Sequence, residues 1–472
     1  MKSTKKRVSI AWFKRDLRVH ANHSIFRAAN SSQYVLPLYV VEPGYWLQPD
    51  ASHRHYQFLS ECLSELRDDL TAVGQPLIVR MGAVRDVFDQ LAEQFKLCQI
   101  FSHEETGNAW TFQRDREVGE WCRERGIPWT ETWQNGVVRG LKDRNGWSNN
   151  WNDRMTSPIA SQVKIKPLTE IEPGPIPPAE DLGLCDDGCT GRQRGGRIAG
   201  LKMLRSFLTH RGLYYQSKMS SPVTATDTCS RISPYLAFGA LSMSEVAQAA
   251  TQQRSVILRE SDNIGQWRKS LSSFEGRLHW HCHFMQKLES EPQIETHCFH
   301  PSFDNLRSDF NVAYFDAWKK GETGYPFIDA CMRALKETGW INFRMRAMLV
   351  SFISYNLWID WRKFKNFLAC NFIDYEPGIH YSQIQMQSGV TGINALRMYN
   401  PVKQGYDHDP DGKFIKKWVP ELSHLDGKDV HEPWLMPDLI ALDKGFRLGD
   451  TYPAPIVDLK QSIAHAREHF KN

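Results

Sequence analysis

Short apolar runs alternate with amphipathic stretches over the first 140 residues, and beyond them the alternation stops. Val8–Phe13 and Tyr34–Val41 are almost continuous apolar runs of strand length, the pattern of strands buried on both faces. Ser24–Ala29, His53–Val73, Val84–Phe95 and Ala109–Arg125 place apolar residues at helical spacing, and further strands are predicted at Pro76–Arg80, Gln99–Ser102 and Pro128–Thr132. Strands alternating with helices predict an α/β domain over residues 1–140, built on a doubly wound parallel sheet.

Residues 141–200 break the rhythm. Pro158, Pro167, Pro173, Pro175, Pro177 and Pro178, followed by several glycines, predict a linker running over the surface. From residue 201 to 472 the periodicity is helical, with helices expected at Ile198–Arg211, Met243–Gln252, Trp267–Leu288, Phe327–Thr338, Phe343–Asn356 and Arg362–Cys370. An all-α second domain is therefore expected.

Composition changes this picture little. A hydrophobic fraction of 41% with 24% charged residues is that of a soluble globular protein. The net charge of +4 does not announce a nucleic-acid binder, although a basic face can hide within a balanced total. No window reaches the length of a membrane span, and the basic start lacks a signal-peptide apolar segment, so a cytoplasmic monomer is expected. The ten cysteines are scattered and read as reduced thiols, and no metal-ligand set is assigned. Sixteen tryptophans either fill helical cores or stack on flat ligands.

Four segments carry candidate chemistry. Phe13-Lys-Arg-Asp-Leu-Arg18 follows the first strand, where parallel sheets bind ligands, though a solvated turn explains it as well. In Thr228–Ser242, Ser230, Arg231 and Ser233 precede a helix opened by Pro234, an arrangement suited to a phosphate or to plain helix capping. Gly324–Arg346 reads as two helices joined at Thr338-Gly-Trp340, and it delivers Arg346 into an apolar helix where an unpaired guanidinium is costly. Asp374 and Glu376, at i and i+2 in an extended loop, supply carboxylates: one to hold Arg346 in a fork, one free to accept from a ligand N–H.

Together these segments resemble the cryptochrome/photolyase family, and the likeness runs nearly end to end. It rests on Trp12-Phe-Lys-Arg-Asp-Leu-Arg18, Gly324-Tyr-Pro326, Thr338-Gly-Trp340, Ile359-Asp-Trp-Arg362, Tyr399-Asn-Pro401 with Lys403-Gln404, and Phe414–Leu422. The resemblance implies FAD in the helical domain, which when reduced and excited donates an electron to a flipped-out pyrimidine photoproduct. It implies a light-driven DNA repair lyase acting on damaged DNA. The alternative is a blue-light signalling photoreceptor with the same FAD site, and the absence of a long tail beyond Asn472 favours repair. A flavin oxidoreductase of the usual kind is disfavoured because no G-x-G-x-x-G opening is present.

By the same resemblance, Ser230, Arg231 and Ser233 match positions holding the FAD phosphates, with Tyr215 nearby. Arg346 and Asp374 match an ion pair beside the flavin ring, Glu376 a second ring-facing acid, and Asn342 lies one residue early for a family asparagine. Trp280 matches a lesion-packing tryptophan. Arg277 stands where the family has a glutamate, and His281 where it has an arginine near the phosphates. Met348 lies near a lesion-contacting methionine, while Arg397, Lys403 and Lys416 are expected on the DNA phosphates. Trp361 matches the middle member of an electron-relay chain whose outer position falls near Ser308 and whose inner one lacks a tryptophan, leaving Trp358, Tyr355 and Tyr381 as detours. An antenna chromophore of folate, deazaflavin or flavin type is expected in the first domain, with Trp147-Ser-Asn-Asn-Trp151 as its lining or as an aromatic surface loop.

Overall fold

The computed structural model describes residues 5–31, 34–160, 163–260, 263–393 and 396–470. Its five strands are β1 (Arg7–Phe13), β2 (Val35–Val41), β3 (Ile78–Met81), β4 (Lys96–His103) and β5 (Trp129–Thr132). They form one parallel sheet in the order β3-β2-β1-β4-β5, flanked by helices His23–Ser31, His53–Ala72, Val84–Gln94 and Ala109–Arg125. Alternation along β1 sorts its side chains. Val8, Ile10 and Trp12 enter one core with Leu36, Ile78 and Phe88, while Ala11 and Phe13 enter the other with Phe58 and Leu63. β4 starts earlier than expected because Lys96 already pairs with Arg7, ahead of a register shift between Val8 and Ser9.

The helical domain is built around Pro326–Thr338, Phe343–Ser351, Trp361–Asn371 and Pro377–Ser388, whose apolar faces share one core. Two helices run longer than the periodicity suggested, Met243–Glu260 and Ile264–Ser290. The helix expected over Phe343–Asn356 is α-helical only to Ser351, and Phe352–Asn356 is a π-helical turn. The Ile264–Ser290 helix crosses the Pro377–Ser388 helix so closely that a Cβ on Gly378 would lie 2.7 Å from the Met285 Cα. Only glycine fits there.

Three sequence expectations change. The segment after β1 is no solvated turn: Lys14, Asp16 and Arg18 are buried and the stretch joins the two domains. Arg18 Nη1 donates to the Gly239 carbonyl (2.7 Å), Leu17 N to the Phe238 carbonyl (3.3 Å), and Arg15 Nη1 to the carbonyls of Ala237 and Tyr375 (3.3 Å each). Gly239 sits at φ +69, where a Cβ would strike the Arg15 carbonyl at 2.0 Å. The proline-rich linker is tied down more firmly than a loose surface strap. Val79 N donates to the Pro173 carbonyl (2.7 Å) and Ile165 N to the Val73 carbonyl (2.8 Å), so the linker covers the β3 edge that would otherwise present unpaired backbone. Finally, Trp147 and Trp151 belong to a helix, Trp147–Thr156, and are buried against His279 of the long helix (4.9 and 5.2 Å between rings). They form no surface loop.

Candidate functional site

Arg346 and Asp374 meet as the apolar surroundings require. Nη1–Oδ1 and Nη2–Oδ2 are both 2.9 Å, a two-pronged pair, and Nε donates to the Ile341 carbonyl at 2.8 Å. The guanidinium lies 4.2 Å from the Phe372 ring centre, and Ser233 Oγ donates to Asp374 Oδ2 at 2.6 Å. Burial would raise the Asp374 carboxyl, but Arg346 outweighs it and holds the group below its ordinary range.

Next to Asp374 stands a second arginine with a different character. Arg231, at φ +59, lies over the Trp340 ring at 4.0 Å, and its Nε donates to Gln193 Oε1 (3.1 Å). No carboxylate pairs with it among the described residues, and burial pulls its guanidinium down to about 10. Arg211 braces this loop through the carbonyls of Cys229 (2.5 Å) and Ser230 (3.2 Å). The helix that follows, Ser233–Ala237, has only five residues, so the backbone N–H cluster read from the sequence is slight and the cation is the substantive feature.

Glu376 is not free, contrary to the sequence reading. His281 Nε2 lies 2.6 Å from Glu376 Oε2, and His281 Nδ1 is buried without a protein partner. The histidine therefore pairs with Glu376 and makes no hydrogen bond with the Arg231 loop among the described residues. Burial alone would lower this imidazole, but Glu376 beside it raises the pKa to about 10. A histidine raised on folding adds stability in full below its unfolded value near 6.5. That contribution fades as pH rises to about 10 and is lost above it. Wild type should accordingly lose its melting-temperature advantage over a His281→Gln variant across that window; a constant difference would refute the charged pair.

Asn342 caps the Phe343–Ser351 helix region, with Nδ2 donating to the carbonyls of Met219 (3.0 Å) and Ser220 (2.8 Å) and Oδ1 buried without a partner. Gln387, which the sequence reading missed, is 2% exposed with both amide atoms unpaired, and Gln383 Oε1 one turn earlier is unpaired too. No sequence signal marks them, because an amide on a helix face reads as a solvated residue.

The outer rim is aromatic and basic. Trp280 is 50% exposed and stacks on Phe284 (5.6 Å, 27°). Arg277 is exposed and lies 5.4 Å from the ring centre of half-exposed Phe343. Arg397 is exposed. Lys403 and Lys416 are already engaged by Asp407 and Asp426. Met348 is wholly buried in the helical core, which removes it from any surface DNA could touch. Met348→Leu should cost under about 1.5 kcal/mol and leave DNA affinity unchanged, read by thermal melting and fluorescence anisotropy; weaker DNA binding would restore the discarded contact. Trp361 is fully buried, with Nε1 donating to Cys298 Sγ (3.3 Å).

Where the two domains meet, a cavity of about 50 Å³ opens at the carboxyl ends of β1, β2 and β4, lined by Arg15, Tyr45, Glu105, Arg114 and Tyr375 among others. A groove of about 200 Å³ shares Glu42 and Arg114 with it and is walled by Trp110. Among the described residues, His53, Asp186 and Asp187 lie close enough together to hold a metal, but Arg54 Nε already binds Asp187 at 2.7 Å. All ten cysteines are unbridged, and no described helix is long and apolar enough to cross a membrane.

Comparison with known proteins agrees with this arrangement. Residues 9–142 match the family model described as DNA photolyase, and residues 274–472 the FAD binding domain of DNA photolyase. The chain is 27% identical to a cryptochrome DASH of Gloeobacter violaceus (96% of this chain, 94% of the relative). It is 29% identical to a deoxyribodipyrimidine photo-lyase of Streptomyces griseus (98% of each). The crystal structure of a Synechocystis cryptochrome superposes with a TM-score of 0.87 at 25% identity, covering 99% of this chain and all of that one. An α/β domain joined to a helical domain with a buried arginine–aspartate pair, matched over both halves, makes the chain a member of the cryptochrome/photolyase family that carries its FAD-binding domain.

Proposed function

We propose that the protein is a light-driven DNA repair lyase acting on pyrimidine photoproducts with reduced FAD. The observation that carries the repair reading is Trp280. A half-exposed indole stacked on Phe284, with exposed Arg277 one turn earlier on the same helix, offers a flat apolar wall beside positive charge.

The residues fit FAD. Arg231 has no carboxylate partner among the described residues and is suited to the diphosphate, with Tyr215, Ser230 and Ser233 on the same loops and their neighbours. Arg346 and the Asp374 it holds, the His281–Glu376 pair and Asn342 supply fixed charge and unpaired hydrogen-bonding atoms for a polar ring. When bound in its reduced form, FAD supplies the photoexcited electron that splits the photoproduct. Arg346 and protonated His281 set a positive field at the ring, favouring an anionic reduced state, and Asp374 fixes the guanidinium's orientation. An antenna chromophore fits the groove beside Trp110 better than the Trp147 region, because that groove is open and the two tryptophans are packed away.

A second reading, a signalling photoreceptor, is favoured by Arg277. Its guanidinium lies 5.4 Å from the Phe343 ring centre, so the position offers a lesion a cation where the resemblance implies a glutamate. Illumination of the flavoprotein with oligonucleotides carrying a single cyclobutane or (6-4) lesion, duplex and single-stranded, decides between them. Repair of either lesion supports the lyase. Equal binding of lesion and plain DNA with repair of neither supports the photoreceptor.

A further inference from the structure

We infer that Tyr375, with Asp50 as its proton acceptor and Tyr381 as its hydrogen-bond donor, is the redox-active residue that reduces the flavin in this chain. The inference rests on the flavin reading above. Tyr375 lies between Asp374 and Glu376 in sequence, the two acids of the site, and its side chain turns towards the first domain. Its phenol donates to Asp50 Oδ2 at 2.6 Å and meets the Tyr381 phenol at 3.1 Å. All three groups are buried, and Asn108 Nδ2 fixes Asp50 at 3.0 Å. One domain thus supplies the carboxylate and the other both phenols.

The chemistry explains why this arrangement outcompetes the indoles. An oxidised tryptophan begins as a cation, so neighbouring positive charge disfavours it. Trp361 lies 5.6 Å from Lys365 Nζ and 5.9 Å from the Arg362 guanidinium. The Trp358 route is worse placed: Arg307 sits 4.7 Å from Trp358 and 5.6 Å from Tyr355, buried, and donates to the carbonyls of Ser354 and Ser388 (2.9 Å each). A tyrosine that sheds its proton as it is oxidised becomes a neutral radical and escapes this penalty. It needs a base at hydrogen-bond distance, and Tyr375 has one.

The step balances. Tyr375 gives one electron to the photoexcited oxidised flavin while its phenolic O–H breaks and the proton passes to Asp50 Oδ2. The resulting neutral phenoxyl keeps a hydrogen bond from Tyr381. A solution thiolate then returns one electron, leaving as a thiyl radical, and Asp50 returns the proton.

The test is blue-light photoreduction of the FAD-loaded protein with excess thiol, followed by flavin absorbance, transient absorption and the rate ratio in light and heavy water. Wild type should show a neutral tyrosyl signature and a solvent isotope effect. Tyr375→Phe, with normal FAD content, should photoreduce at least tenfold more slowly and lose both signatures. Asp50→Asn keeps an acceptor oxygen but cannot take the proton, and should lose the tyrosyl signature with Tyr375 in place. Tyr355→Phe should behave as wild type. Wild-type rates and isotope effects in both the Tyr375 and Asp50 variants would overturn the inference while leaving the flavin reading intact. A wild-type protein that retains no FAD would overturn both.

Discussion

Alanine at position 346 is expected to destabilise the protein by about 3–5 kcal/mol, the usual cost of breaking a buried ion pair from one side. Asp374 is the reason. Its side chain is 5% exposed, and two of its three hydrogen bonds come from Arg346, so the variant leaves a buried carboxylate with Ser233 as its remaining donor. That carboxyl is held below its ordinary range only while Arg346 is present. Without the arginine it must either stay charged in an apolar setting or take up a proton, and either outcome changes the pocket. FAD content should therefore fall together with the melting temperature. Arg346→Lys separates charge from shape: a lysine keeps the positive charge but cannot make the two parallel bonds, so partial recovery of stability with poor FAD retention is expected. Thermal melting and the flavin-to-protein absorbance ratio report both effects. Normal stability and normal FAD content in Arg346→Ala would remove the ion pair from the site.

The sheet was legible because a parallel strand buried on both faces cannot avoid being apolar, and Val8–Phe13 and Tyr34–Val41 are. The Arg346–Asp374 pair was legible for a related reason, since a cation in an apolar helix demands a partner. What the sequence hid are relations across distance. His281 and Glu376 stand 95 positions apart, and each has an ordinary solvated reading until the long helix is laid against the Pro377–Ser388 helix. Asp50 and Tyr375 are 325 positions apart and belong to different domains. The linker prolines suggested a loose strap because proline count says nothing about backbone partners, and the Pro173 carbonyl accepts from Val79 on the β3 edge. Met348 and Trp280 were assigned alike, yet one is wholly buried and the other half exposed. Tertiary packing decides such cases, because a helical period alone does not say which face meets solvent.

Alanine at position 280 should weaken binding to lesion-containing DNA by about one to two orders of magnitude. Stacking on an aromatic face contributes roughly 1–3 kcal/mol per base, and about 1.4 kcal/mol is a tenfold change in affinity. The position makes the experiment clean. Trp280 is half exposed, and its stacking partner Phe284 lies on the same helix one turn later, so truncation opens no core cavity. Thermal stability should stay within about 0.5 kcal/mol of wild type, as for surface substitutions generally. Binding to undamaged DNA should be nearly unchanged, because it depends on phosphate contacts and falls with salt. Exposed Arg397 belongs to that second class: its removal should weaken both DNAs alike and flatten the salt dependence. Fluorescence anisotropy in the dark, over a salt series, separates the two behaviours without requiring turnover. A Trp280 variant that binds lesion and plain DNA exactly as wild type does would exclude the indole as the lesion wall. Arg277 and Phe343, the remaining exposed cation and ring of the rim, would then be the groups to truncate.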